Sequence, residues 1–247
     1  MKHKALITGG SRGIGAAIAR ELAQNGLEVV VASRKSPELD NVVASLSGNG
    51  HHKIEVDFLD QVERGKFLDS LGNQNFDVVV NNAGGNLGIT DPLANYESFQ
   101  KVFDFNVGLA VEINSKLLPK MMESGWGRIT HISSISALEN QGPPQYCAAK
   151  AALNAYIRSV GRFVAASGVV VTGVMPGAVM TAGGYWDDVM QNRPEHGKKF
   201  LEERMAIKRF GEVEEIAKLV NFLVSNAASF MTGSVVLADG GQGRVFQ

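Results

Sequence analysis

Short, continuously apolar runs alternate along the chain with longer stretches in which apolar residues recur at helical spacing. The runs KALIT (4–8), EVVVAS (28–33), KIEV (53–56), FDVVV (76–80), GRITHIS (127–133), VVVTGVM (169–175) and SVVLA (234–238) are predicted strands. Between them the periodicity predicts helices over 13–25, roughly 37–46, 60–71, roughly 95–123, about 145–166 and about 212–224. Strands that are apolar on both faces belong to a parallel sheet covered by helices on both sides. The expected fold is therefore α/β: a single doubly wound domain over 1–247, with about seven parallel strands and helices on both faces. Such sheets bind ligands in the crevice at the carboxyl ends of their strands. Residues 178–211 are expected to be an irregular connection, and one so long in a compact domain predicts a lid, over about 182–210.

Composition narrows the partners. Lys and Arg number 24 against 25 Asp and Glu, a net charge of −1 without blocks of like sign, so neither nucleic acid nor an anionic membrane is expected. Small molecules and copies of the same chain remain. The single cysteine, Cys147, cannot form an internal disulfide, and MKHKALITGG reaches a glycine turn before any long apolar run. The expectation is a soluble, cytoplasmic protein.

The first strand runs into TGGSRGIG, with Gly9, Gly13 and Gly15 opening a helix. Glycines so placed permit a tight turn, close approach of backbone to a pyrophosphate and close helix–strand packing, while the helix N-terminus attracts the anion. A nucleotide is the expected ligand. Farther along, QGPPQYCAAK sets Tyr146 and Lys150 four residues apart, on one helix face. On spacing alone the pair also fits a partly buried aromatic and a snorkelling cation.

The motifs together carry a resemblance. Thr8-Gly-x-x-x-Gly-x-Gly15, NNAG (Asn81 to Gly84), NVG at Asn106, ISS ending at Ser134, Tyr146-x-x-x-Lys150, PG at Pro176 and DGG at Asp239 occur in the order of the short-chain dehydrogenase/reductase family and span nearly the whole chain. The resemblance implies a Rossmann-type fold, a nicotinamide cofactor and a homotetramer, joined through the helices at about 95–123 and 145–166 and the C-terminal region. The small residues Ala148, Ala149, Ala151 and Ala152 suit close helix approach there, or packing inside the subunit.

NAD-preferring members of the family usually end the second strand with an Asp, which would repel a 2′-phosphate. Here Ser33 stands in that place and Arg34 follows, with Arg12 approaching from the glycine turn. Two guanidiniums suit a phosphate dianion, so NADP(H) is expected. The resemblance adds Ser11 and Ile14 in the turn, Asp57 and Phe58 beside the adenine, and Asn82, Ala83 and Gly84 along the adenosine. It places Pro176, Gly177, Val179 and Thr181 at the nicotinamide, and Asn81 is left to brace the sheet.

Reduction of a ketone develops negative charge on the carbonyl oxygen, which calls for a hydrogen-bond donor and a proton source. A free tyrosine has a pKa of about 10, and a nearby ammonium stabilises its phenolate. The resemblance implies Tyr146 as general acid/base, Lys150 as its electrostatic support and ribose ligand, and Asn106 as support for a water-mediated proton relay. The substrate-orienting serine is Ser133 by the usual count back from the tyrosine, but Ser134 as the second serine of the pair. Alternation along the strand puts the two on opposite faces, and Ser134 is expected. Cys147 reads as a small apolar filler and His131 as a core or cofactor-side residue; His51, His52 and His196 lack metal-ligand spacing, so no metal is expected.

Gly183 and Gly184 are expected to hinge the lid, with Tyr185, Trp186, Asp187, Arg193 and His196 offering a mixed aromatic and polar surface. This favours a carbonyl reductase or alcohol dehydrogenase for a small, polar, carbohydrate-like substrate. The enzymatic alternative, a 3-oxoacyl-acyl-carrier-protein reductase, would need cations to dock its acidic carrier. Gly125, Trp126 and Ser167 stand where family members often carry arginines, although Lys120, Arg128 and Arg162 lie nearby. A non-catalytic nucleotide sensor is a remote alternative, because both the tyrosine and the lysine are present.

Overall fold

Seven parallel strands form one sheet in the order β3-β2-β1-β4-β5-β6-β7. In this computed structural model the described residues are 3–245, and the ends of the expected 1–247 span, 1–2 and 246–247, lie outside them. The strands are β1 Lys4–Thr8, β2 Glu28–Ser33, β3 His52–Glu55, β4 Val78–Asn81, β5 Gly127–Ile132, β6 Val169–Pro176 and β7 Val235–Ala238. Helices α1 Gly13–Gln24, α2 Pro37–Ala44, α3 Gln61–Leu71, α4 Tyr96–Phe103, α5 Leu109–Ser124, α6 Pro144–Val164 and α9 Val213–Leu223 complete the frame.

Successive strand residues face opposite sides, and both sides are dry. Leu6, Val30, Val79, Ile129 and Val171 share a core with Leu71, Ile113, Leu117, Leu153 and Ile157 of α3, α5 and α6. Ala5, Ile7, Val29, Val31, Val80 and Val174 share another with Ile18, Leu22, Leu39, Ile216 and Val220 of α1, α2 and α9. Only β3, at one edge, reads polar and exposed. β1 pairs with both β2 and β4, so the chain runs outward to β3 and restarts on the far side of β1. That reversal opens a crevice at the carboxyl ends of β1 and β4.

Two expectations about helices need correction. The helix expected over 95–123 is interrupted by a π-helical turn, Asp104–Gly108, between α4 and α5. Arg64 of α3 holds this turn: it donates to the carboxylates of Asp104 and Glu112, and a Cβ on Gly108 would collide with the Asp104 carboxylate. The connection expected to be irregular contains α7 Tyr185–Asn192 and α8 Pro194–Arg204. α8 is largely exposed and lacks a strong apolar stripe; a cluster joining Trp186 of α7 to Phe200 of α8 at 4.1 Å and to Phe210 at 4.9 Å holds the pair in place.

Helix α6 carries Tyr146 and Lys150, and its placement rests on both ends. Pro143 and Pro144 start it, where missing amide hydrogens cost little. Near its far end, Gly161 lets the helix touch the chain entering β7: a Cβ there would lie 2.6 Å from the Gly233 nitrogen. Because the obstructing atoms are backbone, Gly161→Val is expected to destabilise the fold by about 3 kcal/mol. Denaturant unfolding reads this directly, and an unchanged midpoint would show that α6 can shift freely.

Candidate active site

The glycine turn and the end of β4 are stitched together before any ligand is considered. Asn82 Nδ2 donates to the carbonyl oxygens of Thr8 and Gly9, each at 2.9 Å. The Thr8 hydroxyl in turn accepts from the backbone nitrogens of Asn82 and Ala83, each at 3.1 Å. Gly9 and Gly13 have φ of +66° and +56°, where glycine is favoured. A Cβ on Gly15 would sit 2.5 Å from both Asn82 Nδ2 and the Gly9 oxygen, so this position must be glycine for the stitch to close.

A cleft of about 570 Å³ lies against this turn, lined by Gly9, Ser11, Arg12, Ser33, Arg34, Asp57, Phe58, Asn82, Ala83 and Gly84. Ser33 donates to Ser11 at 3.0 Å, which ties the end of β2 to the turn. Arg12 and Arg34 are exposed beside them, and no carboxylate ends β2. Asp57 accepts from the Leu59 nitrogen at 3.0 Å, and Phe58 packs edge-on to Phe67. This donor set fits a dinucleotide bearing an extra phosphate on its adenosine ribose. Asn81 lies in the core and donates to Asn114 at 3.1 Å.

A recess of about 280 Å³ follows the cleft and brings together Ile14, Ser133, Ser134, Tyr146, Lys150, Pro176, Gly177, Val179 and Thr181. Ser134 and Tyr146 also line a larger chamber of about 760 Å³ beside α7 and α8. The two serines do diverge. Ser133 is buried and donates to Asn154 at 2.6 Å, whereas Ser134 caps a short 3₁₀ turn and faces the recess and the chamber together with Tyr146.

Lys150 is 3% exposed, with Nζ donating to the Ile132 oxygen at 2.8 Å and lying 5.6 Å from the Tyr146 ring centroid. Burial penalises its ammonium and lowers its pKa from 10.5 to about 7. Tyr146 is pushed above its ordinary value by burial, and the Ser134 hydrogen bond opposes that rise.

Asn106 sits in the π-helical turn and grips Gly85: Nδ2 donates to its oxygen at 2.8 Å and Oδ1 accepts from its nitrogen at 3.0 Å. A Cβ on neighbouring Gly84 would lie 2.7 Å from Asn106 Oδ1 and 3.2 Å from Lys150 Nζ. Only a glycine there lets the amide and the ammonium share one space. His131 is fully buried, packs edge-on to Tyr156, and has its pKa lowered to about 3 by burial and the nearby Lys150 charge. It is a neutral core residue.

Of the lid residues, Tyr185, Trp186 and His196 line the chamber. Asp187 instead accepts from the Gly183 nitrogen at 2.7 Å, and Arg193 pairs with Asp188 at 3.5 Å. Sequence reasoning missed Gln141, Phe200, Arg204 and Gln242, which line the chamber as well. His196, Phe200 and Arg204 recur every four residues, a signal that a helix over 194–204 would have revealed. Nothing local marks Gln242, which reaches the site from the C-terminal tail, where it accepts from the Ala178 nitrogen at 2.7 Å and donates to Gln141.

The depressed lysine has a signature in stability. Between pH 7 and 10.5 the unfolded chain keeps a proton on Lys150 that the folded chain has released, so stability rises with pH across that window. Below about 7 both forms are protonated and the cost of burying the charge stands in full. Lys150→Met is expected to flatten that rise in unfolding experiments across the window. Equal slopes in both proteins would refute the shift.

Comparison with known proteins agrees with this geometry. A family model described as enoyl-(acyl carrier protein) reductase matches residues 9–242. The 3-oxoacyl-[acyl-carrier-protein] reductase of Rickettsia prowazekii is 33% identical, over 96% of this chain and 95% of its own. Among solved structures, a 3-oxoacyl (acyl-carrier-protein) reductase from Agrobacterium tumefaciens with NADP bound superposes with a TM-score of 0.89 at 30% identity, covering 97% of this chain and 93% of that one. The L-sorbose reductase of Gluconobacter frateurii, complexed with NADPH and L-sorbose, gives 0.89 at 29% identity, covering 99% and 98%. With the motif order, the seven-stranded sheet and the Ser134–Tyr146–Lys150 cluster all in place, the chain belongs to the short-chain dehydrogenase/reductase family.

Proposed function

We propose that the protein is an NADP(H)-dependent oxidoreductase that interconverts a ketone and a secondary alcohol on a small polar substrate. The observation that carries this reading is the meeting of Ser134, Tyr146 and Lys150 where the nucleotide cleft opens into the chamber. A bound nicotinamide supplies the hydride. The chain supplies the rest: Tyr146 gives its phenolic proton to the carbonyl oxygen, and Ser134 orients that oxygen by hydrogen bonding. Lys150, with a pKa of about 7, exchanges protons readily at neutral pH and holds the cofactor ribose. Asn106, held against Gly85 on the Lys150 side of Gly84, supports a water-mediated proton relay to the ammonium. Arg12 and Arg34 receive the 2′-phosphate, and residues 182–210 act as the substrate lid of a single-domain subunit.

The 3-oxoacyl-acyl-carrier-protein reductase reading is favoured by the names of its relatives. Two candidate docking cations are engaged elsewhere. Arg128 is buried against the Ser225 oxygen, Asn226 and the Trp126 ring, and Lys120 donates to the Gly72 oxygen at 2.6 Å. Arg162 remains exposed. A homotetramer is the assembly we propose: Phe99, Phe103 and Val111 of α4 and α5 are exposed, and β7 at the sheet edge is only partly buried. A cytoplasmic location accords with the described residues, in which no helix is long and apolar enough to cross a membrane.

Tyr146→Phe keeps the ring and removes the proton, so turnover of any ketone is expected to fall about 10²–10⁴-fold. Ser134→Ala should lower kcat/KM in the same assay, while Ser133→Ala should cost stability through its lost bond to Asn154. Near-normal rates in Tyr146→Phe would sink the mechanism. Removing both Arg12 and Arg34 side chains to the β-carbon is expected to weaken NADPH binding at least tenfold more than NADH binding, at about 1.5–3 kcal/mol for each charged hydrogen bond. Equal weakening by fluorescence titration would refute the phosphate assignment.

A further inference from the structure

The substrate chamber has one fixed charge. Its wall includes Asn86, Thr90, Ser136 and Gln141, but no Asp or Glu, and Arg204 is the sole Arg or Lys among the described residues that line it. Arg204 closes the stripe that α8 turns toward the chamber, with Phe200 one turn before it and His196 two turns before it. Phe200 packs against Trp186 at 4.1 Å with the rings tilted by 39°, which makes an apolar wall in the same chamber.

Arg204 Nε is buried and has no hydrogen-bond partner among the described residues. Its nearest carboxylate is Glu139, with Oε2 3.9 Å from Nη2, at the outer limit of an ion pair. That carboxylate is already engaged. Oε2 accepts from Gln141 Nε2 at 2.6 Å, and Oε1 accepts from the Arg244 nitrogen. Glu139 thus meets the guanidinium only at this outer limit, and the Arg204 side chain stays 40% exposed. The guanidinium's planar fork matches a carboxylate in geometry and in charge. A phosphate dianion draws two or more cations, and the chamber offers only one.

We propose that Arg204 is the carboxylate-binding residue of the substrate site and that the physiological substrate is an oxo acid. Its ketone meets Tyr146 and Ser134, its carboxylate meets Arg204, and an apolar portion lies along Trp186 and Phe200. This rests on the oxidoreductase reading above and names the substrate class of that same site.

The test uses matched pairs of oxo acids and their methyl esters, reduced with NADPH by the full chain. The wild type is expected to favour the acids at least tenfold in kcat/KM. Arg204→Met should lower that preference at least tenfold, chiefly through KM, and Arg204→Lys should restore part of it. An unchanged preference in Arg204→Met, or a wild type that favours the esters, overturns the assignment.

A binding measurement separates the subsite from turnover and from misfolding. With Trp126→Phe leaving Trp186 as the reporter, succinate is expected to change the fluorescence and dimethyl succinate is not, and Arg204→Met should abolish the response. Equal responses to both compounds would overturn the subsite. If neutral ketones are reduced and oxo acids are not, the carboxylate proposal falls and the oxidoreductase reading stands. If no carbonyl compound is reduced with either cofactor, that reading falls, and the Trp186 titration alone decides for or against the subsite.

Discussion

The clasp between β1 and β4 is the interaction on which the rest depends. At the switch point the order in which the chain adds strands reverses, and the ends of β1 and β4 part around a crevice. Asn82 ties these ends together by donating to the oxygens of both Thr8 and Gly9, while Thr8 returns the bond to the backbone of Asn82 and Ala83. The clasp closes only because Gly15 lacks a side chain. Once closed, it fixes the glycine turn beside Gly84, and Gly84 in turn brings Asn106 and Lys150 within reach of each other. The nucleotide cleft and the proton-handling groups are thus two sides of one backbone junction.

Burial sets the chemistry of that junction more than charge pairing does. Lys150 makes its hydrogen bond to a carbonyl oxygen, so desolvation dominates and its pKa falls to about 7. The same desolvation raises Tyr146, and Ser134 partly opposes it. His131, one residue from the carbonyl that holds Lys150, stays neutral for the same reason. A buried lysine that shares its proton near neutrality is suited to resupplying a phenol, whereas a strongly ion-paired lysine would hold its proton too firmly.

The segment between β6 and α9 obeys a different rule. Helices α7 and α8 bury little of their own surface and depend on the Trp186, Phe200 and Phe210 cluster and on the C-terminal tail. Through Gln242, Gln141, Glu139, Arg204 and Arg244, that tail ties the loop before α6 to the end of α8. The chamber wall and the start of α6 are therefore joined through side chains far apart in the chain.

What the sequence determined by itself follows from local physics. Continuous apolar runs specify strands buried on both faces, glycines at fixed spacing specify the turn, and a four-residue interval puts Tyr146 and Lys150 on one helical face. The frame of seven strands and the cofactor cleft were legible for that reason. Tertiary structure decided what local pattern does not encode. The π-helical turn carrying Asn106 exists because Arg64 reaches it from a distant helix, and α8 forms in a segment of weak amphipathicity because aromatic contacts hold it. Ser134 rather than Ser133 meets Tyr146 because the strand ends there and the chain turns into a cap, which a residue count cannot show. Arg204 became visible only when the fold placed it against an acid-free chamber, since the charge of a side chain is written in the sequence but the lack of carboxylates lining the space it faces is a property of what surrounds it.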